Sequence, residues 1–307
     1  MSSGVEFSVT TSVIGKVTRD VLEIGRAIRV VAAPPAKRVQ RLYELLYHQS
    51  NLMGDETSYV NMGYWPRESM TIDEASQALA DLVADAGEFG PGDRILDVGF
   101  GYGDQDFRWL ETCKPEKIVG VNVTPGQVRA ARERARAESA TRHLEFREGV
   151  ATALPFPDET FDKVVALESA FHFSTRDQFF AQAFRVLRPG GLLVTADVIP
   201  FEVEEKDSAD PEKTSGIVPK ANWYTRDVYA ERLNTTGFHE VDVRSIREHV
   251  WEPWRLYMSR KVQSPAFRSR AGIVYRTVLR RGLRDGDKLK SELAKIDYVV
   301  AVARKKA

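Results

Sequence analysis

The sequence predicts an α/β fold, a doubly wound sheet of seven strands preceded by an N-terminal helical arm and covered by a helical lid. Three observations predict it. From Arg94 onward, short apolar runs alternate with stretches of helical period. A glycine-rich turn, Gly99-Phe100-Gly101-Tyr102-Gly103, follows the first of those runs directly. A charged stretch of helical pattern, residues 248–293, separates the last two runs.

The elements follow in order. Ile14, Val17, Val21, Ile24, Ile28 and Val31 recur in steps of three and four, which predicts a helix with a narrow apolar seam. Pro34 and Pro35 then stop it. Two readings of the seam stay open: a helix packed on its own core, or an arm through which the chain forms a homo-oligomer. Residues 1–75 are taken as the arm and a covering segment, and residues 76–307 as the main domain. Strands are predicted at Arg94–Val98, Lys117–Asn122, His143–Glu148, Phe161–Leu167 and Leu192–Val198. Helices fall between them at Pro125–Glu138 and Arg176–Leu187. Runs near His239–Ile246 and Ile296–Ala303 complete the sheet at one edge. Two lid insertions are expected, a loop rich in charge, proline and serine at 201–222 and the helical stretch at 248–293.

Composition narrows the function. Forty-four basic and 44 acidic residues give a formal net charge of zero, whereas a nucleic-acid partner calls for a basic excess. The single cysteine, Cys113, excludes an intrachain disulfide and points to a reducing, cytoplasmic setting. Residues 13–31 carry six charged residues, which a membrane span would not tolerate, and residues 1–11 lack the pattern of a signal peptide. No metal-ligand spacing is present, so metal-independent chemistry on a small-molecule acceptor is expected.

The turn after the first strand carries most of the chemistry. Glycines there let backbone N–H groups approach a ligand closely. A dinucleotide fingerprint places its third glycine where this chain has Asp104. Asp97, just before Gly99, suits a ligand bearing an ammonium group better than one bearing two phosphates. Ligands of such sheets bind at the carboxyl ends of the strands. Asn122 ends the second strand, Val150-Ala151 follows the third, Leu167-Glu168 ends the fourth, and Arg188-Pro189-Gly190-Gly191 leads into the fifth.

In this order the glycine loop, Asn122, Leu154-Pro155-Phe156 with Phe161-Asp162, and Leu187-Arg188-Pro189-Gly190-Gly191 resemble class I S-adenosylmethionine-dependent methyltransferases, which have a Rossmann-like sheet. Gly63-Tyr64-Trp65, Gln105-Asp106-Phe107, Trp109-Leu110-Glu111, Leu167-Glu168-Ser169-Ala170 and Glu252-Pro253-Trp254 resemble the mycarose O-methyltransferases of erythromycin biosynthesis. Tocopherol and geranyl diphosphate C-methyltransferases are similar more weakly. The resemblance implies S-adenosyl-L-methionine as cofactor. It implies that Asp97, Gly99, Gly101 and Gly103 hold its methionine end and ribose edge, and that Gln105 belongs to the same cofactor site. By the same carry-over Asn122 faces the ribose, Val123 and Gln127 lie near the adenine, and Ala151 offers its N–H to the ring. Val150 and Leu167 line the same site, and Tyr64 offers an aromatic face to the sulfonium. Val150 stands where many relatives have aspartate, which removes an acceptor for the adenine amino group.

Two residues are candidates for the chemistry. His172 follows the fourth strand and is the best placed of five histidines for a general base; its alternative is packing between Phe171 and Phe173. Glu168 has several open roles: binding the ammonium group, serving as a second base, stabilising a carbocation, or capping a helical turn. Arg255 to Arg284 include many cations, read first as a solvated helix face and second as a clamp for an anionic substrate. The leading expectation is O-methylation of a hydroxyl on a glycosylated or polyketide natural product. C-methylation of a prenyl or indole-terpenoid substrate, and a non-catalytic cofactor-binding subunit, are the alternatives.

Overall fold

Five parallel strands, β1 (Arg94–Val98), β2 (Lys117–Asn122), β3 (Leu144–Glu148), β4 (Phe161–Leu167) and β5 (Leu187–Pro200), form most of one sheet in a computed structural model that describes residues 13–46, 53–202 and 218–307. Two further strands, β6 (Phe238–Ser245) and β7 (Ile296–Lys305), finish it in the order β3-β2-β1-β4-β5-β7-β6. β7 runs antiparallel to β5, and β6 antiparallel to β7. This is the seven-stranded, doubly wound fold expected. The last strand in sequence lies inside the sheet rather than at its edge.

Strands of such a sheet are apolar on both faces, because helices cover both. Ile95, Val165 and Val194 pack in one cluster with Leu79, Trp109 and Val128. Those three come from α3 (Ile72–Ala86), α4 (Asp104–Thr112) and α5 (Pro125–Ala137). The neighbouring residues Leu96, Val164 and Leu193 pack on the opposite face with Phe179, Phe180 and Leu233, from α6 (Arg176–Val186) and α7 (Arg226–Thr236). Thr71 and Glu74 cap α3 reciprocally, which fixes where that helix begins.

β5 starts five residues before the predicted strand. Arg188-Pro189-Gly190-Gly191, read as a turn, is an irregularity within β5, where the register against β4 shifts between Phe161 and Lys163. Most of the predicted 201–222 loop, residues 203–217, lies outside the described residues.

The 248–293 stretch is helical as expected, but it does not cover the ligand site. It forms α8 (Trp251–Lys261), α9 (Pro265–Arg270), α10 (Ile273–Arg284) and α11 (Gly286–Ala294). Met258, Val262, Phe267 and Tyr275 pack on Trp65, Met70 and Ile72 in a cluster of their own. Four of the basic residues here are held by carboxylates: Lys261 and Arg270 by Asp55, Arg255 by Glu252, and Arg276 by Asp20.

The arm comprises α1 (Val13–Val31) and α2 (Pro35–Leu46). Its polar side, not its seam, faces the rest of the chain. Glu23 is buried and accepts N–H bonds from Val274 (2.9 Å) and Tyr275 (3.2 Å), donors of the first turn of α10. Arg19 donates to the carbonyls of Ser269 and Arg270. Consequently Val21, Ile24, Ile28 and Val31 point outward, with Val21 62% and Val31 84% exposed. The reading of α1 as a helix packed by its seam on its own core does not hold.

Candidate active site

The strand order reverses between β1 and β4, so the loops leaving their carboxyl ends diverge and open a crevice. A cavity of about 1310 Å³ lies there. Pockets for one small ligand span about 300–1,000 Å³, so this one has room for two molecules side by side. Gly99, Gly101 and Gln105 line it from the β1 side, Asn122, Val123 and Gln127 from β2, and Val150 and Ala151 from β3. Leu167, Glu168 and His172 line it from β4. Its remaining cover comes from α2, from Ser58, Val60 and Asn61 before α3, and from Val218 and Pro219, and none of the residues 248–293 reaches it.

The glycine loop has the form a closely bound ligand requires. Gly99 sits at φ +90°, and a Cβ there would lie 2.4 Å from Cβ of Ser169, so only glycine fits. Ser169 Oγ donates to the Val98 carbonyl (2.6 Å), and Gly99 N–H to Val121 O (2.7 Å), which ties the loop to the ends of β2 and β4. Gly103 and Asp97 fall outside the cavity wall. Gly103 starts α4 in a left-handed conformation. Asp97 is fully buried behind Gln105, whose amide donates to Asp97 Oδ2 (2.9 Å) and Phe100 O (3.0 Å). Burial pushes the Asp97 carboxyl up to about 7, and the hydrogen bonds of Gln105 and Asp106 offset only part of this. Gln105, with both amide hydrogens used, therefore offers a ligand only its Oε1.

At the β2 end, Asn122 donates to Gln127 Oε1 (3.0 Å) and Gly101 O (3.3 Å), while its Oδ1 accepts from Thr124 N–H (3.2 Å). Its donors are thus used within the chain, and one lone pair remains for a ligand. Gln127 Nε2 is buried at the cavity wall and has no hydrogen-bond partner among the described residues. An orphaned donor at a cavity wall is a position for a ligand acceptor. Glu148 pairs with Asn122 across β2 and β3 and brings a carboxylate to the cavity that sequence reading missed. Val123 and Val150 are exposed apolar side chains facing the same space, an arrangement suited to the two faces of a flat ring.

The β4 end carries the ionisable groups. Glu168 is buried, with φ +52°, and its Oε2 accepts from Met62 N–H at 2.7 Å. Burial pushes its carboxyl up to about 8; Met62 N–H and the neighbouring Tyr298 hydroxyl offset only part of this. The residue is therefore mostly a neutral acid at pH 7. His172 sits in a short 3₁₀ turn, Ala170–His172, with its ring against Phe171 at 3.9 Å between centroids. Its Nε2 lies 2.8 Å from the hydroxyl of Tyr43 on α2. Tyr43 is thus the aromatic residue at the candidate base.

Tyr64 does not reach the cavity. Its ring packs edge-on against His249 at 5.1 Å, and its N–H donates to Ala75 O. The Gly-Tyr-Trp motif has a different part: Trp65 Nε1 donates to Met62 O, holding the loop that aims Met62 N–H at Glu168. Among the described residues no group of three or more His, Cys, Asp or Glu is arranged to hold a metal ion.

A loop that excludes a Cβ, paired apolar walls and an orphaned amide fit a flat heterocycle joined to a polar chain. Comparison with known proteins agrees. A general methyltransferase-domain profile matches residues 96–195. Over 279 residues the chain is 43% identical to the erythromycin 3''-O-methyltransferase of Saccharopolyspora erythraea, covering 88% of this chain and 91% of that one. The chain belongs to the S-adenosylmethionine-dependent methyltransferases. A 27-O-demethylrifamycin SV methyltransferase of Amycolatopsis mediterranei is 32% identical over 196 residues, 62% of this chain and 71% of that protein. The cyclopropane synthase MmaA2 of Mycobacterium tuberculosis shares the fold of this methyltransferase at TM-score 0.71 and 22% identity, covering 89% and 99% of the two chains. The methyl donor is S-adenosylmethionine. A purely cofactor-binding, non-catalytic role is set aside.

Proposed function

We propose that this methyltransferase methylates a hydroxyl group of a glycosylated or polyketide natural product, with His172 as the general base. The observation that carries the reading is the pairing of His172 Nε2 with the Tyr43 hydroxyl inside the cavity: this nitrogen already accommodates a hydroxyl oxygen at 2.8 Å. The 43%-identical relative, named for O-methylation of erythromycin, supports the same acceptor chemistry. Gly99 and Gly101 leave space for the cofactor, Val123 and Val150 flank its adenine, and Ala151 offers the ring a backbone N–H. Asn122 Oδ1 and Glu148 accept from the ribose, Gln127 donates, and Gln105 Oε1 accepts from the ammonium group. When bound, S-adenosylmethionine supplies an electrophilic methyl carbon on a sulfonium. His172 takes the acceptor's hydroxyl proton on Nε2 as its oxygen is methylated, in the place the Tyr43 hydroxyl holds in the free chain, then returns it to water.

The same reading includes two copies of the chain joined through the outward seam of α1, and a cytoplasmic location. No described helix is long and apolar enough to cross a membrane. The test is turnover of methyl-labelled cofactor with glycosylated macrolides and with prenyl acceptors including allylic diphosphates. Label is expected in the macrolides, and His172→Ala is expected to lower kcat by about 10²–10⁴-fold with cofactor affinity unchanged. Label confined to the prenyl pool, or full turnover by the variant, overturns the reading.

A further inference from the structure

The turn that carries His172 is supported from outside by the segment that closes the cavity. Val218 and Pro219 line the cavity, and the chain continues into a 3₁₀ turn, Lys220–Asn222. Asn222 is almost wholly buried. Its amide nitrogen donates to Phe173 O at 2.7 Å and Phe171 O at 3.1 Å, the carbonyls on either side of His172. Its Oδ1 accepts from Arg176 N–H (2.7 Å), and its own carbonyl accepts from Arg176 Nη1 (2.7 Å). Arg176 is in turn fixed by a buried ion pair to Asp197, 2.8 Å apart.

We propose that Asn222 is a positioning residue for His172: it grips both peptide carbonyls flanking the base and ties their placement to the wall formed by Val218 and Pro219. This rests on His172 being the base. Within the 170–173 turn itself, His172 N–H donates to Ser169 O and Phe173 N–H to Ala170 O. The first holds the 171–172 peptide by its N–H side alone and neither holds the 173–174 peptide, so without Asn222 the Phe173 carbonyl can tilt, the Phe171 carbonyl loses its second anchor, and the His172 ring shifts with them. Asparagine suits the task because one amide group supplies two donors and an acceptor at once. A base displaced by about 1 Å loses on the order of 100-fold in rate.

The test compares Asn222→Asp, which keeps the shape and the acceptor but removes both donors, with Asn222→Ala in the full-length chain. The first readout needs no acceptor: the ring contact between Tyr43 and His172, 5.2 Å between centroids, is followed by NMR. Both variants are expected to lose that contact and shift the His172 ring resonances, while the other four histidines and cofactor affinity stay unchanged. The second readout is turnover, expected to fall about 10- to 100-fold in kcat with no further loss when combined with His172→Ala. A His172–Tyr43 contact that survives in both variants overturns the proposal. So does a loss that simply multiplies that of His172→Ala, as a general folding defect would. Full activity of His172→Ala alone removes the base reading while leaving the NMR result to stand or fall separately.

Discussion

Replacing Glu168 by glutamine is expected to stabilise the protein at neutral and alkaline pH. The Glu168 carboxyl is buried with one backbone N–H on it and is pushed up to about 8, from an ordinary 4.5. An acid raised in this way keeps its proton in the folded chain over a range where the unfolded chain has released it. The folded state binds more protons, so stability falls as pH rises from about 4.5 through about 8. Each tenfold fall in proton concentration across that range costs about 1.4 kcal/mol, and the cost tapers at both ends. The loss between pH 5 and pH 8 therefore comes to about 3 kcal/mol. Glutamine keeps the shape and an acceptor for Met62 N–H but has no proton to release.

Urea denaturation followed by tryptophan fluorescence at half-unit steps from pH 5 to pH 8 checks this. Asp97, also raised by burial, gives both proteins a residual fall in the same direction at lower pH, so the difference between the two curves isolates Glu168. That difference is expected to be small at pH 5 and to grow to about 3 kcal/mol in favour of Glu168→Gln at pH 8. Parallel curves across the range refute the reasoning, because they would mean that Glu168 ionises in the folded chain as readily as in the unfolded one.

Two further outcomes follow from the geometry. Gly99→Ala places a Cβ 2.4 Å from that of Ser169 at φ +90°, so a loss of at least about 2 kcal/mol in thermal stability is expected, with cofactor affinity down tenfold or more by calorimetry; a change under about 0.5 kcal/mol counts against it. On the proposed reading of α1, Val21→Asp with Ile28→Asp halves the mass seen by sedimentation without altering the melting temperature, and a wild-type chain that sediments as a monomer contradicts it.

The strands were legible because their pattern is strong: Ile95 and Leu96 are both apolar, as a sheet covered on both faces demands. The glycine loop was legible because Gly99 has no substitute at its φ and spacing. Residues whose role depends on remote backbone were not. Tyr43 and His172 are 129 positions apart, and nothing in the pattern of α2 connects them. Asn222 lies in a charged, proline-rich stretch that reads only as loop, yet its amide is satisfied by two carbonyls about 50 positions away. The arm misled for an opposite reason. A seam of apolar residues ordinarily points to a core, but Glu23 meets the first-turn N–H groups of α10 and turns the seam outward. Tyr64 was drawn to the site by its motif, whereas it is the backbone of that motif, through Met62, that touches it.

Glu168 also makes cofactor binding and proton release a single event on the proposed reading. A carboxyl raised to about 8 is protonated in roughly 0.9 of molecules at pH 7. A sulfonium brought into the same cavity favours the ionised form, as any nearby cation does, and draws the carboxyl below neutrality. Binding at pH 7 should then release close to one proton from this residue, and affinity should rise as pH approaches 8, where that proton has already begun to leave. Calorimetry in buffers of different ionisation enthalpy measures the count directly. Wild-type chain is expected to release roughly 0.8 proton more than Glu168→Gln at pH 7, with the gap closing above pH 9. Equal release by the two chains would place the sulfonium away from Glu168. The cost of burying this acid would then be unrelated to the cofactor's charge.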